Sequence, residues 1–378
     1  MRFDDFSDNW TISTLGDVCS YRKERRTAEK KYYVSTENIL QNYQGIECFD
    51  SNEKISGDAF DKNDVLMGNI RPYLKKVCFA NFDGVCNADV LVFKNKSLNP
   101  RYLHCILAND SFINYVMSSV KGSKMPRGDK NFIMQYPLSY PSELEQAKIS
   151  NFIETLTKRI EVQNKIIEDL KVLKKELMDV ILNTNEFIEM SIQELIDLGY
   201  LSIVKASELK PFVGTREYLS TSSIGEDGIE QVESIISYND RPSRASMFPI
   251  KDSIWFAKMK NTIKVYQSVG NDEERYILST GFYGLLCNKN LIDPRWLLEL
   301  FKSEYFNSQK DRFSEGSSMS GIKDSQLADI NLKVFKNREL EFIHSNYIEK
   351  VSQKIKLEKQ VLKMLFKQKQ FYLNAMFI

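Results

Sequence analysis

Short clusters of lysine and arginine are the residues of this 378-residue chain whose types and spacing best suit chemistry, and that chemistry is the binding of a polyanion. Arg71, Lys75 and Lys76 flank an aromatic and follow a Gly68-Asn69 turn. Lys121, Lys124, Arg127 and Lys130 lie in a glycine-containing stretch, where backbone can approach a phosphate closely. A second set comprises Arg241, Arg244, Lys258, Lys260 and Lys264, with Ser317 and Ser318 ahead of Lys323. The plain alternative for each cluster is an exposed strand end or a solvated loop. Arg22 to Lys31 is as densely charged but mixed in sign, and reads as a solvated turn.

Net charge is only +1, and no half of the chain is basic throughout. Residues 1–141 carry 19 basic and 17 acidic side chains, and residues 190–337 carry 18 and 20, so a polyanion has to be met by local clusters.

Bond-making chemistry finds little to work with. Among sixteen glycines there is neither a GxxxxGK[ST] nor a GxGxxG phosphate loop. Asn99-Pro100 continues into Arg101 and so lacks the Asn-Pro-Pro-aromatic tetrapeptide of amino-methyltransferases. Two histidines, His104 and His344, leave little room for a Ser-His-Asp or Cys-His centre, and no catalytic residue is expected. Cys19, Cys48, Cys78, Cys86, Cys105 and Cys287 show no zinc-knuckle spacing, so no metal site is expected and free thiols in a reducing compartment are the simpler reading. Asp169-Leu170-Lys171 matches a nuclease half-motif but sits on a charged helix face. Met1 to Trp10 is acidic and polar and no run of eighteen apolar residues occurs, which points to a cytoplasmic protein away from membranes.

The elements that must position the basic clusters occur twice. Tyr33-Val34-Ser35-Thr36-Glu37-Asn38-Ile39, Asn99-Pro100-Arg101-Tyr102-Leu103 and Lys121-Gly122-Ser123-Lys124-Met125 return as Tyr218-Leu219-Ser220-Thr221-Ser222-Ser223-Ile224, Asp293-Pro294-Arg295-Trp296-Leu297 and Glu315-Gly316-Ser317-Ser318-Met319. A spacing of roughly 185 to 195 residues means two copies of a domain, not the short units of a solenoid. Val65-Leu66-Met67, Val77 to Ala80 and Val90 to Phe93 read as strands of the first copy, and Ile254 to Ala257, Val265-Tyr266 and Phe282 to Leu286 as strands of the second. Pro100 to about Ser119 and Pro294 to about Gln309 each read as one helix. The strand aromatics read as core.

Each copy ends in a long heptad helix. After Pro141, Ser142 is a plausible N-cap with Glu143 and Glu145 in the first turn, and nothing breaks the helix before about Asn183. Its seam runs Ile149, Ile153, Leu156, Ile160, Gln163, Ile167, Leu170, with Ile166, Leu170, Leu173, Leu177 and Val180 taking over. Forty residues make a rod of roughly 60 Å. A second rod from about Arg338 shows Ile348, Val351, Ile355, Glu358, Leu362, Leu365, Lys369, Tyr372 and Met376 in the same rhythm, and its polar members suit register-fixing or wet-edge positions. The expected layout is a head over 1–141, a coiled-coil helix over 142–185, a second head over 186–337 and a C-terminal coiled-coil helix over 338–378. The fold class is mixed α/β (α+β), with the two rods packing antiparallel about a pseudo-two-fold internal repeat.

With these features the chain resembles the specificity subunit of type I restriction-modification systems, over almost its whole length. Trp10 to Asp17, Tyr33 to Asn38 and Arg71-Pro72-Tyr73-Leu74-Lys75-Lys76 match that family's motifs. So do Gly122 to Met125 followed by Pro141-Ser142-Glu143-Leu144-Glu145-Gln146, with one residue inserted. The second copy departs at Lys258-Met259-Lys260-Asn261-Thr262-Ile263-Lys264, and Asn337-Arg338-Glu339-Leu340 lacks the Pro-x-x-Glu-Gln start, which leaves the beginning of the second rod open.

The resemblance implies a non-catalytic subunit whose two target recognition domains each read half of a bipartite double-stranded DNA site through the basic residues named above. It implies rods that set the gap and dock two methyltransferase subunits. S-adenosylmethionine would be carried by those partners and ATP and Mg by motor-nuclease subunits, with no cofactor bound by this chain. Two other readings stay open at this stage. One is a homodimerising DNA-binding or scaffold protein without a methyltransferase partner, and the other is a stand-alone nuclease or methylase with diverged motifs.

Overall fold

Val65-Leu66-Met67 and Val90-Leu91-Val92-Phe93 are apolar at every position, so strands made from them need cover on both faces. The computed structural model, which describes residues 2–120, 124–205, 211–226, 228–314 and 321–377, provides it. The chain forms two compact units, Met1–Asn164 with Gln360–Ile378, and Lys165–Lys359.

In the first unit a four-stranded antiparallel sheet has the order Cys19–Tyr21, Val90–Asn95, Val65–Gly68, Val77–Phe79. Side chains alternate across it. Val65, Met67, Val77, Leu91 and Phe93 enter one core with the helices Pro100–Leu107 and Asp110–Ser118, while Leu66, Cys78, Val90 and Val92 enter another with a second sheet. That second sheet runs Arg25–Glu29, Lys54–Phe60, Gly84–Cys86, Tyr33–Val34, its last pair parallel. Thr11–Thr14 pairs with Pro137–Tyr140 and brings the two ends of the head together.

The second unit repeats this plan. Its first sheet, Leu201–Val204, Phe282–Cys287, Ser253–Ala257, Val265–Gln267, has the same order, and Ile254 and Phe256 face one core while Trp255 and Ala257 face the other. Trp255 lies across from Gly284, where an added Cβ would come within 2.5 Å of the indole, so the ring's space depends on that glycine. Phe187–Ser191 pairs with Asn331–Phe335 as the closing ribbon. The second sheets share three strands, Ala245–Met247, Tyr276–Ser279 and Thr215–Leu219 here, but differ at their edges. The first unit adds Arg25–Glu29 beyond the antiparallel member, and the second adds Ser234–Ser237 beyond the parallel one.

The long helices are Glu143–Leu182 and Arg338–Met376, and each unit holds the start of one and the end of the other. Within the first unit Ile149 shares a core with Met376, Phe152 meets Tyr372 edge-on at 4.9 Å, and Ile153 and Leu156 pack with Leu373. Within the second, Ile181 shares a core with Ile348, and Glu226 reaches Lys171 at 3.3 Å and Lys359 at 3.0 Å. Rising numbers meet falling ones in both, so the helices run antiparallel there.

Four expectations need correction. Pro100 to Ser119 is two helices, because Asn109 caps the second by accepting from Ser111 N at 2.8 Å, while its amide donates to Leu373 O at 2.8 Å. Pro294 to Gln309 likewise divides into Pro294–Lys302 and Glu304–Phe313, with Ser303 as cap. The stretch at Arg22–Lys31 is no solvated turn: Arg25–Glu29 is a sheet-edge strand, and the side chain of Arg22, 5% exposed, is held by Asp61 and Asp64 at 2.8 Å each. On the central rod Ile166, Leu173 and Val180 are exposed, and the buried line continues instead through Lys174, Met178 and Ile181. Ile153, Ile160, Ile167, Lys174 and Ile181 keep an unbroken seven-residue spacing, so the inward line holds its register and the side chains one position before it face out.

The second rod begins on Asn337, whose side chain accepts from Glu339 N at 2.8 Å. Gln146 accepts from Asn99 N at 2.9 Å and Glu341 from Asp293 N at 2.8 Å, so each rod's first turn receives the helix-capping residue of its own head. This fixes a constant separation of 195 residues between matching rod positions: Gln146 and Glu341, Ser150 and Ser345, Ile153 and Ile348, Lys174 and Lys369.

Candidate nucleic-acid interface

In the first unit the chain leaves strand Val65–Gly68 at Asn69 and turns through Ile70–Lys76, where Arg71 (φ 51°) and Lys75 (φ 55°) adopt left-handed backbone at either end of the short turn Pro72–Leu74. Backbone this unusual for side-chain-bearing residues has to be held by its surroundings. Arg71 N donates to Pro126 O at 2.8 Å and Ile70 bridges Arg127. Buried Asn69 accepts from Gly128 N at 3.1 Å and donates back to Gly128 O at 3.3 Å. From the other side Asn42 N and Tyr43 N donate to Leu74 O and Lys75 O at 3.1 and 3.0 Å. Two basic stretches far apart in sequence therefore lie side by side, with Arg71, Tyr73, Lys124, Met125 and Arg127 exposed.

Of these, Arg127 pairs with Asp89 at 3.0 Å, and the remaining members of the cluster are placed differently. Lys75 pairs with Asp110 at 2.7 Å, beside the Tyr43 hydroxyl, and Lys76 donates to the carbonyl of Thr36. Lys130 is exposed and opens the helix Lys130–Met134, its carbonyl accepting from the Tyr21 hydroxyl at 3.0 Å. Lys121 lies outside the described residues.

The second unit repeats the loop pairing. Met259 bridges Gly321, and Ile322 N donates to Lys258 O at 3.2 Å. Lys258 N donates to Gly281 O and Thr280 N to Arg244 O, both at 2.9 Å, so Arg244, Lys258 and Lys323 gather about one end of the sheets. Arg244, Met259, Lys260, Ile263 and Lys323 are exposed. Lys258 is half-buried over the Tyr283 ring at 4.1 Å, and burial pulls its pKa down. Arg241 stacks on Tyr238 at 3.9 Å, and half-buried Lys264 lines a cavity of about 930 Å³ in this unit, so neither joins the exposed group. Ser317 and Ser318 lie outside the described residues.

On the rods Ile153, Leu156, Ile160, Ile167, Ile348, Ile355 and Leu365 are buried, and Leu170, Leu177, Val351 and Leu362 are half-buried. Among the described residues no group of His, Cys, Asp and Glu could hold a metal ion, and no helix is long and apolar enough to cross a membrane. Sequence reasoning passed over Asn69, and also the exposed methionines Met125 and Met259. The Gly68-Asn69 pair hinted at a turn, but nothing local shows that Asn69 grips a glycine 59 residues away.

Residues 7–172 match the family model of the type I restriction modification DNA specificity domain. The EcoDI specificity subunit of Escherichia coli is 27% identical over 97 residues, a match spanning 26% of this chain but only 22% of that protein. The MjaVIII specificity subunit of Methanocaldococcus jannaschii is 21% identical over 357 residues, covering 86% of this chain and 82% of that one. The fold is shared with the type I restriction-modification S subunit from M. genitalium (TM-score 0.56, 15% identity, 98% and 96% of the two chains). It is shared equally with a chain solved for the complex assembly and conformational transition of the type I R-M system (TM-score 0.56, 14% identity, 96% of each). The doubled head, the paired long helices and these likenesses lead to one conclusion: residues 7–172 are similar to the type I restriction modification DNA specificity domain, and most of the chain is similar to a specificity subunit of such a system.

Proposed function

We propose that this chain is the DNA-recognising subunit of a type I restriction-modification complex, each head reading one half of a split double-stranded target. The observation that carries this reading is the repeated loop pairing, Ile70 with Arg127 and Met259 with Gly321, which in each unit builds a platform of exposed cations beside exposed apolar side chains, joined in the first unit by Tyr73. Cations on such a platform position the protein on phosphates, while the other side chains reach base edges. Divergence of the second loop suits a head that reads different bases.

In this reading the chain makes no bonds itself. The rods set the gap between half-sites, and their exposed residues Val162, Ile166, Leu173 and Val180, with Phe342 and Tyr347, offer apolar surface to two methyltransferase subunits. Those subunits carry S-adenosylmethionine, motor-nuclease subunits bring ATP and Mg, and the whole works in the cytoplasm. Co-purification with a neighbouring encoded methyltransferase, followed by selection from a random duplex library, tests the proposal. Enrichment of a split motif is expected. A chain that forms only a homodimer and enriches no motif would instead be the scaffold protein considered above.

A further inference from the structure

Lys310 lies in the helix Glu304–Phe313 and is only 1% exposed, yet its ammonium does not face a closely bound carboxylate. It donates to Thr262 O at 2.6 Å and Met259 O at 3.2 Å, with Asp311 farther off at 3.6 Å. Asp311 in turn accepts from Asn261 N at 3.1 Å, and Asn261 has left-handed backbone (φ 55°). Two adjacent side chains of one helix thus hold three backbone groups between Met259 and Thr262.

A buried ammonium is costly unless its protons are bonded. Burial pulls the Lys310 pKa down against the opposing pull of Asp311, and the two carbonyls accept from the ammonium. The same loop carries exposed Met259, Lys260 and Ile263. The first unit fastens its loop by other means, since Asn42 N and Tyr43 N supply the donors.

We propose that Lys310 is a positioning residue, fixing the loop through which the second head reads DNA. This rests on the reading of that loop as part of the interface. Without the ammonium the two carbonyls lose their partner, the loop shifts, and Met259 and Lys260 no longer meet their bases.

The experiment uses the full chain assembled with its methyltransferase and duplexes carrying the mapped target or single changes in either half. Lys310→Met is expected to reduce discrimination at the half read by the second head by at least about fivefold, the worth of one good base contact, while the other half is read as before. Asp311→Ala, on a half-buried neighbour, should act in the same direction and serves where Lys310→Met does not fold. Equal loss at both halves, or unchanged discrimination in either folded variant, overturns the proposal. Lys260→Ala separates the two levels: if it also leaves discrimination unchanged, the loop is not at the DNA, whereas if it alone has an effect only the role of Lys310 falls.

Discussion

The Lys174 ammonium lies 2.6 Å from the Glu299 carboxylate, tying the central long helix to the helix Pro294–Lys302 inside the second unit. At the matching place in the first unit, Lys369 faces Cys105. Among the described residues no carboxylate lies within ion-pair distance of Lys369, and its burial, which lowers its pKa, is offset mainly by Cys105 and Glu161. The repeat has kept the lysine without an acidic partner.

Opposite effects on stability are therefore expected from the same substitution. Lys174→Met leaves the buried Glu299 carboxylate with only Lys302, at 3.5 Å, and should cost about 1–3 kcal/mol. Lys369→Met removes a buried, poorly compensated charge and should be neutral or stabilising, by up to about 1–4 kcal/mol. Urea unfolding of both variants checks this, and shifts of the same sign and size would refute the contrast.

His104, beside Lys369, gives the first unit a pH dependence. Burial, then the positive charges of Lys369 and Arg101, pulls its pKa to about 3 from the ordinary 6.5. Between those values the unfolded chain takes up a proton that the folded unit refuses, so stability falls as pH drops, by at most about 1.4 kcal/mol per unit. Above about pH 6.5 the residue is neutral in both states and contributes nothing to the slope. The difference in unfolding free energy between the wild type and His104→Gln should therefore narrow steadily from about pH 7 to about pH 5. A difference independent of pH would contradict this.

Asn69 is the hinge pin of the first loop pair. Asn69→Ala leaves Gly128 N and O without partners and should cost about 1–3 kcal/mol. DNA binding should weaken as well, because Arg71 and Arg127 lose their shared frame. Gly128→Ala should do the same by another route, its Cβ arriving 2.8 Å from Val116 and 3.0 Å from Ile133. Calorimetry and fluorescence anisotropy measure the two effects, and full binding by a destabilised variant would remove Asn69 from the interface.

Reversing charge at Lys124 and Arg127 together should weaken binding of any duplex and lower the salt slope by about 1–2, near 0.9 for each phosphate no longer neutralised. Binding titrations across ionic strength give that slope. An unchanged value excludes both residues from the phosphate backbone.

Much of the fold was legible in the sequence because periodicity and repetition are local properties. Val65-Leu66-Met67 and Val90 to Phe93 needed only their composition, and the rods only their four-and-three spacing. The breaks at Asn109 and Ser303 were missed because apolar spacing runs on across them, although Asn109-Asp110 is itself a cap signal. The wrong end of the central seam came from leaving the heptad register for a second apolar series: the count carried on from Ile160 and Ile167 leads to Lys174 and Ile181, and a lysine at that position hid the continuation. The loop pairings and Lys310 were beyond reach for another reason: Asn69 with Gly128, or Lys310 with Thr262, are single interactions over dozens of residues with no local signature.

Methylation mapping of DNA from cells carrying this chain and the methyltransferase proposed above, compared with the same cells carrying Tyr73→Ala/Met125→Ala or Lys260→Ala, tests most directly the claim that two heads read two halves. One split motif with a fixed gap is expected, degraded in one half by the first change and in the other half by the second. A continuous motif, or variants that blur both halves alike, would contradict it.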